Sequence, residues 1–242
     1  MHESELWITK QFNDYLPALG NSLTGLVGLP AQARPWADFV VMQIVVALLL
    51  MILFALLRPR LSPDRPGAFQ QLWEMIYEFV NGQAEEQVGH DGHKFLSYFG
   101  TIFIFILVSN LIGLIPCFES PTMSASVTCG CALATFLYYH MIGIQANGFG
   151  YIKHFLGPVW WLAPLMLPIE IVSHLARPLS LTVRLYANMF AGEQVTMVFL
   201  KLTFLVVPVI FMGLHFFVGI IQAYIFMLLT MVYVASATAH EH

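Results

Sequence analysis

Residues 168–200 read PIEIVSHLARPLSLTVRLYANMFAGEQVTMVFL, a pattern that predicts one nearly continuous helix of 33 residues. At about 1.5 Å per residue this helix would be about 50 Å long, whereas the hydrocarbon core of a bilayer is about 30 Å thick. Residues 203–238 predict a second helix that is also longer than the bilayer core is thick. Pro178 and Pro208 allow either helix to kink. The helices either break or tilt, and we expect two long, strongly tilted helices that form a hairpin with its turn near residues 200–203.

The composition indicates that most of the chain lies in a membrane. Of its 242 residues, 58% are hydrophobic and only 10% are charged, whereas a soluble domain carries about 25% charged residues. Three more apolar runs, at residues 39–57, 95–115 and 123–144, are long enough to span a bilayer. The predicted fold class is therefore an all-α integral membrane protein with about five membrane-embedded helices plus one amphipathic surface helix at residues 67–89.

Charged residues outside the spans predict the orientation of the chain. Three arginines follow the first span, namely Arg58, Arg60 and Arg65. The positive-inside rule places this loop in the cytoplasm. Residues 1–36 are then an N-terminal arm on the non-cytoplasmic side, and residues 37–242 are a single membrane domain. Counting spans onward places the polar break at residues 147–158 in the cytoplasm, and the C-terminus as well.

Several classes of function are disfavoured by the sequence. The net charge of −4 provides no basic surface for nucleic acid, and neither Gly-x-x-x-x-Gly-Lys-Ser/Thr nor Gly-x-Gly-x-x-Gly is present. Loop and tail histidines occur at His90, His93, His240 and His242. They lack a cysteine or acidic set at the spacing of metal ligands. We therefore predict no nucleic-acid partner, no metal site and no bound cofactor.

Ionisable side chains interrupt the apolar sequence of the predicted helix at residues 168–200. Arg184 lies at its midpoint, where a charge costs about 3 kcal/mol on insertion scales. Glu170, Arg177 and Arg184 are spaced by seven residues and therefore lie on one face. The other polar members of this face are Ser173, Ser180 and Asn188. Such a stripe indicates an aqueous path or a facing protein surface, and Ser173 and Ser180 are candidates to line its inner part.

The next groups along the chain suit proton transfer. Glu193 is nine residues from Arg184 and points about half a turn away from it. In the last helix, His215 and Gln222 are seven residues apart and share a face. Because the two long helices are expected to run antiparallel, we expect His215 to lie opposite the Glu193 region and Gln222 opposite the Arg184 region. Carboxylates and imidazoles take up and release protons. Glu193 and His215 therefore suit a path from the outer side, and Glu170 suits a path to the inner side.

Arg184 has a different chemistry, because a guanidinium keeps its proton at any working pH. It cannot carry a proton, but it can hold an approaching carboxylate in the ionised state and act as a barrier between two half-paths. No other group in these helices is an obvious permanent partner, so we expect the carboxylate to belong to another protein.

Simpler structural roles stay open for most of these residues. Arg184 could pair with Glu170 or Glu193, and Glu193 could be a packing partner of His215. Glu170 could serve only to start its helix. Two further residues could be interhelical hydrogen-bond donors and acceptors alone, namely Asn188 and Gln222.

These residues carry a resemblance to a known family. The segment from Leu175 to Glu193, LARPLSLTVRLYANMFAGE, resembles the signature of subunit a of F-type ATP synthases, and residues 222–233, QAYIFMLLTMVY, resemble that family's last helix. The hydropathy order also agrees along nearly the whole chain. The resemblance implies a stator subunit that is not catalytic alone. Its partners would be a rotating ring of c subunits, b-type peripheral stalk subunits and the rest of the F0F1 complex.

The resemblance also implies roles for individual residues. The family's essential arginine corresponds to Arg184, and its polar neighbours to Asn188 and Gln222. Outer half-channel positions correspond to Glu193 and His215, and the inner acidic position to Glu170. Protons would enter from outside, neutralise a ring carboxylate and leave through the inner half-channel after the ring has turned. Proton is the expected coupling ion, because selection of sodium would lie mainly in the ring.

The expected location is a bacterial inner membrane rather than that of an organelle. The alternative from another class is a self-contained secondary transporter or ion channel, which would need a substrate site at the midplane and often has inverted repeats. A third possibility is a structural assembly subunit whose polar residues serve only helix packing.

Overall fold

The computed structural model describes residues 6–26, 30, 32–62, 67–115, 118–148, 163–202 and 206–238. The eight α-helices of this part are α1 (Trp7–Tyr15), α2 (Pro17–Leu26), α3 (Asp38–Leu57), α4 (Ala68–Val88), α5 (Leu96–Ile112), α6 (Ala125–Asn147), α7 (Ala163–Leu202) and α8 (Val206–Thr238). Short 3₁₀ turns occur at Arg58–Arg60, His90–Phe95 and Pro121–Met123. No strand occurs in these ranges, so the predicted all-α class is confirmed.

Within the described ranges, four stretches of helix are long and apolar enough to cross a membrane, namely Asp38–Leu57, Asp91–Ile112, Ala125–Ala146 and Val207–Thr238. A helix satisfies all its backbone hydrogen bonds internally, which is why it can lie in hydrocarbon. Many side chains of α3 are both apolar and exposed, including Met51 at 59% and Ile52 at 58%. The predicted class of integral membrane protein is confirmed. The remaining long helix, α7, differs from these four because charged residues interrupt its apolar sequence.

The two longest helices are α7, with 40 residues, and α8, with 33 residues. Helix α7 begins five residues before the predicted start at residue 168, and it continues through Pro168 and Pro178. The helix is therefore unbroken, and at about 1.5 Å per residue it is about 60 Å long. Its tilt in a membrane stays a prediction. Part of the predicted turn, residue 203, lies outside the described residues.

Other expectations also concern segments outside the described residues. These are the position of Arg65, most of the polar break at residues 147–158, and the tail with His240 and His242.

Helix α4, which was predicted as a surface helix at residues 67–89, packs against membrane helices. The ring of Phe79 lies 6.2 Å from that of Phe103 on α5 and 5.7 Å from that of Tyr224 on α8. The Tyr224 hydroxyl donates a hydrogen bond of 2.9 Å to Gln83. The helix ends at Val88, and the following residue, Gly89, has a φ of 85°, a value that favours glycine. The amphipathic helix is therefore attached to the bundle through one face.

The described residues group into two compact units. Unit 1 comprises Met1–Leu61, Phe105–Ser124 and Met189–Ile220, and unit 2 comprises Ser62–Ile104, Ala125–Asn188 and Ile221–His242. The core of unit 1 is built on Met42, Val46 and Ile112. The N-terminal arm is attached to α3 in this unit, because the Leu6 amide donates to the Asp38 carboxylate at 3.2 Å. Within the arm, the Asn13 side chain donates to the Trp36 carbonyl at 3.1 Å and accepts from the Trp36 amide at 3.0 Å.

A buried polar network connects three segments of unit 1. The side-chain amide of Asn110 on α5 donates to the Gly219 carbonyl on α8 at 2.9 Å. The same side chain accepts a hydrogen bond of 2.7 Å from Thr122, which in turn lies 2.7 Å from the hydroxyl of Ser120. Asn110 and Thr122 are fully buried. Asn110 therefore fixes the segment between α5 and α6 against α8.

We expect Asn110→Ala to lower the melting temperature of the detergent-solubilised protein. Loss of the amide leaves the buried Thr122 hydroxyl with one partner fewer, which costs about 1–2 kcal/mol. Thermal unfolding measured by circular dichroism tests this. The matched control is Asn81→Ala, which removes an exposed hydrogen bond to Glu85 worth about 0.2–0.5 kcal/mol. Equal shifts for the two variants would contradict a special role of the Asn110 network.

Candidate functional site

Glu193 on α7 and His215 on α8 line one cavity of about 440 Å³ in unit 1. Much of the remaining wall is apolar, and Thr196 adds a hydroxyl. His215 is buried and Glu193 is half-buried. No hydrogen bond joins these two side chains in the part of unit 1 that the structure describes. The structure thus brings a carboxylate and an imidazole to one cavity without locking them together.

The position of His215 depends on Gly192. A Cβ at residue 192 would lie 2.6 Å from Nδ1 of His215, so only glycine leaves room for the ring. The ring hydrogen-bonds to the Gly192 backbone, whose carbonyl also accepts a bond of 2.8 Å from Thr196. The other ring nitrogen, Nε2, is buried and has no hydrogen-bond partner among the described residues. His215 is therefore anchored through one nitrogen only.

The antiparallel pairing of α7 and α8 is visible in each unit. In unit 1 the rings of Phe199 and Phe211 stack with centres 4.5 Å apart. In unit 2 the guanidinium of Arg177 lies 5.2 Å from the centre of the Tyr233 ring. Arg184 lies seven residues after Arg177 on α7, and Phe226 lies seven residues before Tyr233 on α8. Gln222 lies one helical turn before Phe226.

A second carboxylate, Glu119, lies near Glu193 in unit 1, although no spacing or motif in the sequence predicts this proximity. Glu119 follows α5 and lines a separate cavity of about 330 Å³. Asp38 and Thr9 line this cavity as well. The Thr9 hydroxyl is buried and has no hydrogen-bond partner among the described residues. The acidic character of unit 1 is thus greater than the motif alone indicates.

Arg184 is half-buried in unit 2. Beside it on α7, Leu181 and Leu185 are buried, which places the guanidinium at the edge of the packed face. The structure leaves Ser180, Ala187 and Asn188 exposed within about one turn of Arg184, and Ser173 is exposed three turns away. Gln222 is only 5% exposed, and the described structure shows no hydrogen bond between it and Arg184. Short side chains therefore flank Arg184, while Leu179, Val183 and Phe190 expose apolar surface on the same stretch of α7.

Glu170 has a partner in unit 2, and the partner is not Arg184. Its Oε1 lies 3.2 Å from Nε2 of His174, four residues along the same helix. The Nδ1 of His174 lies 3.1 Å from the hydroxyl of Tyr139 on α6. In the described part of unit 2, Arg184 forms no ion pair with a carboxylate. The sequence-based selection of candidate site residues missed His174, although its spacing of four from Glu170 was a usable signal.

These features define a class of protein: a helical membrane protein with ionisable side chains inside its membrane helices, where such groups mark ion or proton paths. The model of the ATP synthase A chain family matches residues 39–235. The chain belongs to this family.

Individual relatives agree with the family match. ATP synthase subunit a of Solibacter usitatus (strain Ellin6076) is 66% identical over 232 residues, which are 96% of this chain and 100% of that protein. ATP synthase subunit a of Koribacter versatilis (strain Ellin345) is 50% identical over 241 residues, covering 98% of each chain. ATP synthase subunit a of Geobacter sulfurreducens is 44% identical over 177 residues, which are 73% of this chain and 77% of that protein.

We expect Gly192→Ala to displace the His215 ring and to lower the melting temperature, because the added methyl group overlaps the imidazole. Thermal unfolding and a structure of the variant test this. The matched control is Gly213→Ala on α8, where a Cβ meets no atom within 4 Å. The control should gain helix propensity, worth up to about 1 kcal/mol. An unchanged His215 ring in Gly192→Ala would show that the contact does not determine its position.

Proposed function

We propose that this chain is the proton-conducting stator subunit of an F-type ATP synthase. It provides two offset half-channels that load and unload a carboxylate on a rotating ring of c subunits. The observation that carries the proposal is Arg184, a permanent cation midway along an unbroken helix and without an ion-pair partner in the described part of unit 2. A membrane cation normally faces a protein interior, a partner or water.

The outer half-channel is proposed to run through the cavity of Glu193 and His215. Carboxylates and imidazoles take up and release protons, and no hydrogen bond joins these two side chains in the described part of unit 1. The hydrogen bond to Gly192 engages one nitrogen of His215 and leaves Nε2 for proton exchange. Water in the shared cavity would connect the two groups.

The seal between the half-channels is proposed to be Arg184. Because a guanidinium does not lose its proton, a proton cannot pass through it by exchange. The same charge favours the ionised state of an approaching ring carboxylate. The short exposed side chains around it, Ser180, Ala187 and Asn188, allow a neighbouring helix to approach closely. Gln222 is proposed to act as a polar neighbour from α8.

The inner half-channel is proposed to begin at the exposed side of α7. Ser173 and Ser180 are exposed there, and Glu170 is half-buried toward the end of the helix that is predicted to be cytoplasmic. A proton released by the ring would pass these groups to the inner side. The transmembrane potential contributes about 2.3 kcal/mol per charge for each 100 mV.

The assembly is proposed to include b-type peripheral stalk subunits and the rest of the F0F1 complex. The location is proposed to be a bacterial inner membrane, because the relatives described above are from bacteria. The N-terminus is proposed to lie outside and the C-terminus in the cytoplasm.

We expect Arg184→Ala to abolish proton-driven ATP synthesis in membrane vesicles while the complex still assembles. The reason is that the variant lacks the fixed cation that separates the half-channels. Synthesis rate per assembled complex is the measurement, with the amount of complex determined on native gels. The matched control is Lys201→Ala, an exposed cation at the end of the same helix.

The same experiment distinguishes the alternatives. Retained coupling in Arg184→Ala contradicts the stator role and favours a structural assembly subunit. Solute transport by the purified chain alone in liposomes favours a self-contained transporter or channel.

We expect Glu193→Gln to slow passive proton conduction through the membrane sector by at least about tenfold, since a positioned acid–base group contributes about 10²–10⁴-fold. Conduction is measured as the decay of a pH gradient across vesicles. Glu78→Gln, an exposed carboxylate on α4, is the control. Conduction at the wild-type rate in Glu193→Gln would remove this residue from the outer half-channel.

A further inference from the structure

We propose that His174 is a positioning residue for Glu170, held in place by Tyr139. The three side chains form a continuous phenol–imidazole–carboxylate chain within unit 2. The inference rests on the proposed function, in which Glu170 belongs to the inner half-channel, and it assigns to that carboxylate a support on its buried side.

The geometry consists of one hydrogen bond and one close contact with a carboxylate. Nδ1 of His174 lies 3.1 Å from the Tyr139 hydroxyl in a hydrogen bond, and Nε2 of His174 lies 3.2 Å from Oε1 of Glu170. His174 is 6% exposed and Tyr139 is 1% exposed, so both are inside the packed helices. The imidazole cannot rotate without losing the Tyr139 hydrogen bond and the contact with Glu170.

The donors and acceptors fit one arrangement of protons. In a neutral imidazole one nitrogen donates and the other accepts. With the proton on Nε2, Nδ1 accepts from the Tyr139 hydroxyl, and the N–H side of the ring lies beside the carboxylate. This tautomer fits both contacts with a neutral ring and adds no second cation beside Arg177.

Ionisable side chains surround His174 on several sides. The ring of His140 on α6 lies 5.3 Å from that of His174. Arg177 lies on the same helix, with its guanidinium over Tyr233, and Tyr233 packs 5.8 Å from Tyr139. The 3.2 Å contact with His174 places Glu170 beside this cluster.

Glu170 stays usable for proton transfer despite this contact. Its side chain is 32% exposed, so the carboxylate is held on one side and accessible on the other. Ser173 lies on the exposed side of the same turn. A carboxylate in one fixed orientation toward that side exchanges protons faster than one that samples several rotamers, because misplacement by about 1 Å can cost about 100-fold in rate.

The test uses the whole F0F1 complex in liposomes and measures proton-driven ATP synthesis per assembled complex. We expect His174→Leu to lower the rate about tenfold, by loss of positioning. His174→Gln should restore it to within about twofold of wild type, because an amide both donates and accepts like the neutral imidazole. Tyr139→Phe should be intermediate. Tyr138→Phe is the matched control, since Tyr138 stacks on Tyr98 instead.

Arg184→Ala and Glu170→Gln in the same preparation separate the possible failures. Retained synthesis in Arg184→Ala overturns the proposed function, and a wild-type rate in Glu170→Gln overturns the role of Glu170 on which this inference rests. If both variants are impaired but His174→Leu is not, only the positioning role is refuted. A glutamine variant as slow as the leucine variant also refutes it, since an amide then cannot replace the ring.

Two further measurements keep the inference testable if His174→Leu does not assemble. Tyr139→Phe at the wild-type rate overturns it, because the hydroxyl then does not hold the imidazole. The double variant His174→Gln with Glu170→Gln should be no slower than Glu170→Gln alone. A clear additional loss would show that His174 acts independently of Glu170.

Discussion

A permanent cation near the middle of a long helix is the constraint on which the rest of this structure depends. In the proposed function α7 lies in the membrane, where a charge at the centre of a helix costs about 3 kcal/mol or more. Arg184 lies near the middle of the 40-residue α7. The helix around it is continuous, so backbone groups add little to the cost. The buried leucines Leu181 and Leu185 hold one side of the turn in the packed interior. The guanidinium is therefore placed at the border of the packing, where a partner or water can reach it.

The pairing of α7 with α8 determines what surrounds the ionisable groups. In unit 1 the two helices approach closely at Gly192, which leaves space for the His215 ring. In unit 2 the long side chain of Arg177 lies over Tyr233. Gly192 thus accommodates the imidazole of His215, and the ring of Tyr233 accommodates the guanidinium of Arg177. Both contacts place polar side chains between helices whose other facing residues are mostly apolar.

Much of the fold could be predicted from the sequence, because hydrophobic length and charge spacing are local properties. The spans overlap α3, α5 and α6, and the unbroken α7 follows from its periodicity. The predicted start of α7 at Pro168 is five residues too late, because a helix tolerates an interior proline at a cost of about 3 kcal/mol. Contacts between distant segments were not predictable in this way. Examples are Tyr139 with His174, which are 35 residues apart, and Gln83 with Tyr224, which are 141 apart.

The two carboxylate–imidazole pairs of α7 and its neighbours are built differently, and this difference bears on their roles. Glu193 and His215 share a cavity without a mutual hydrogen bond, and Nε2 of His215 has no hydrogen-bond partner in the described residues. Glu170 and His174 are in direct contact, and the second nitrogen of His174 contacts Tyr139. His215 is held through the Gly192 backbone and lines a cavity together with a carboxylate. His174 is instead held by the Tyr139 hydroxyl directly against Glu170. One imidazole therefore suits transfer and the other suits support, although both lie beside a glutamate of the same helix.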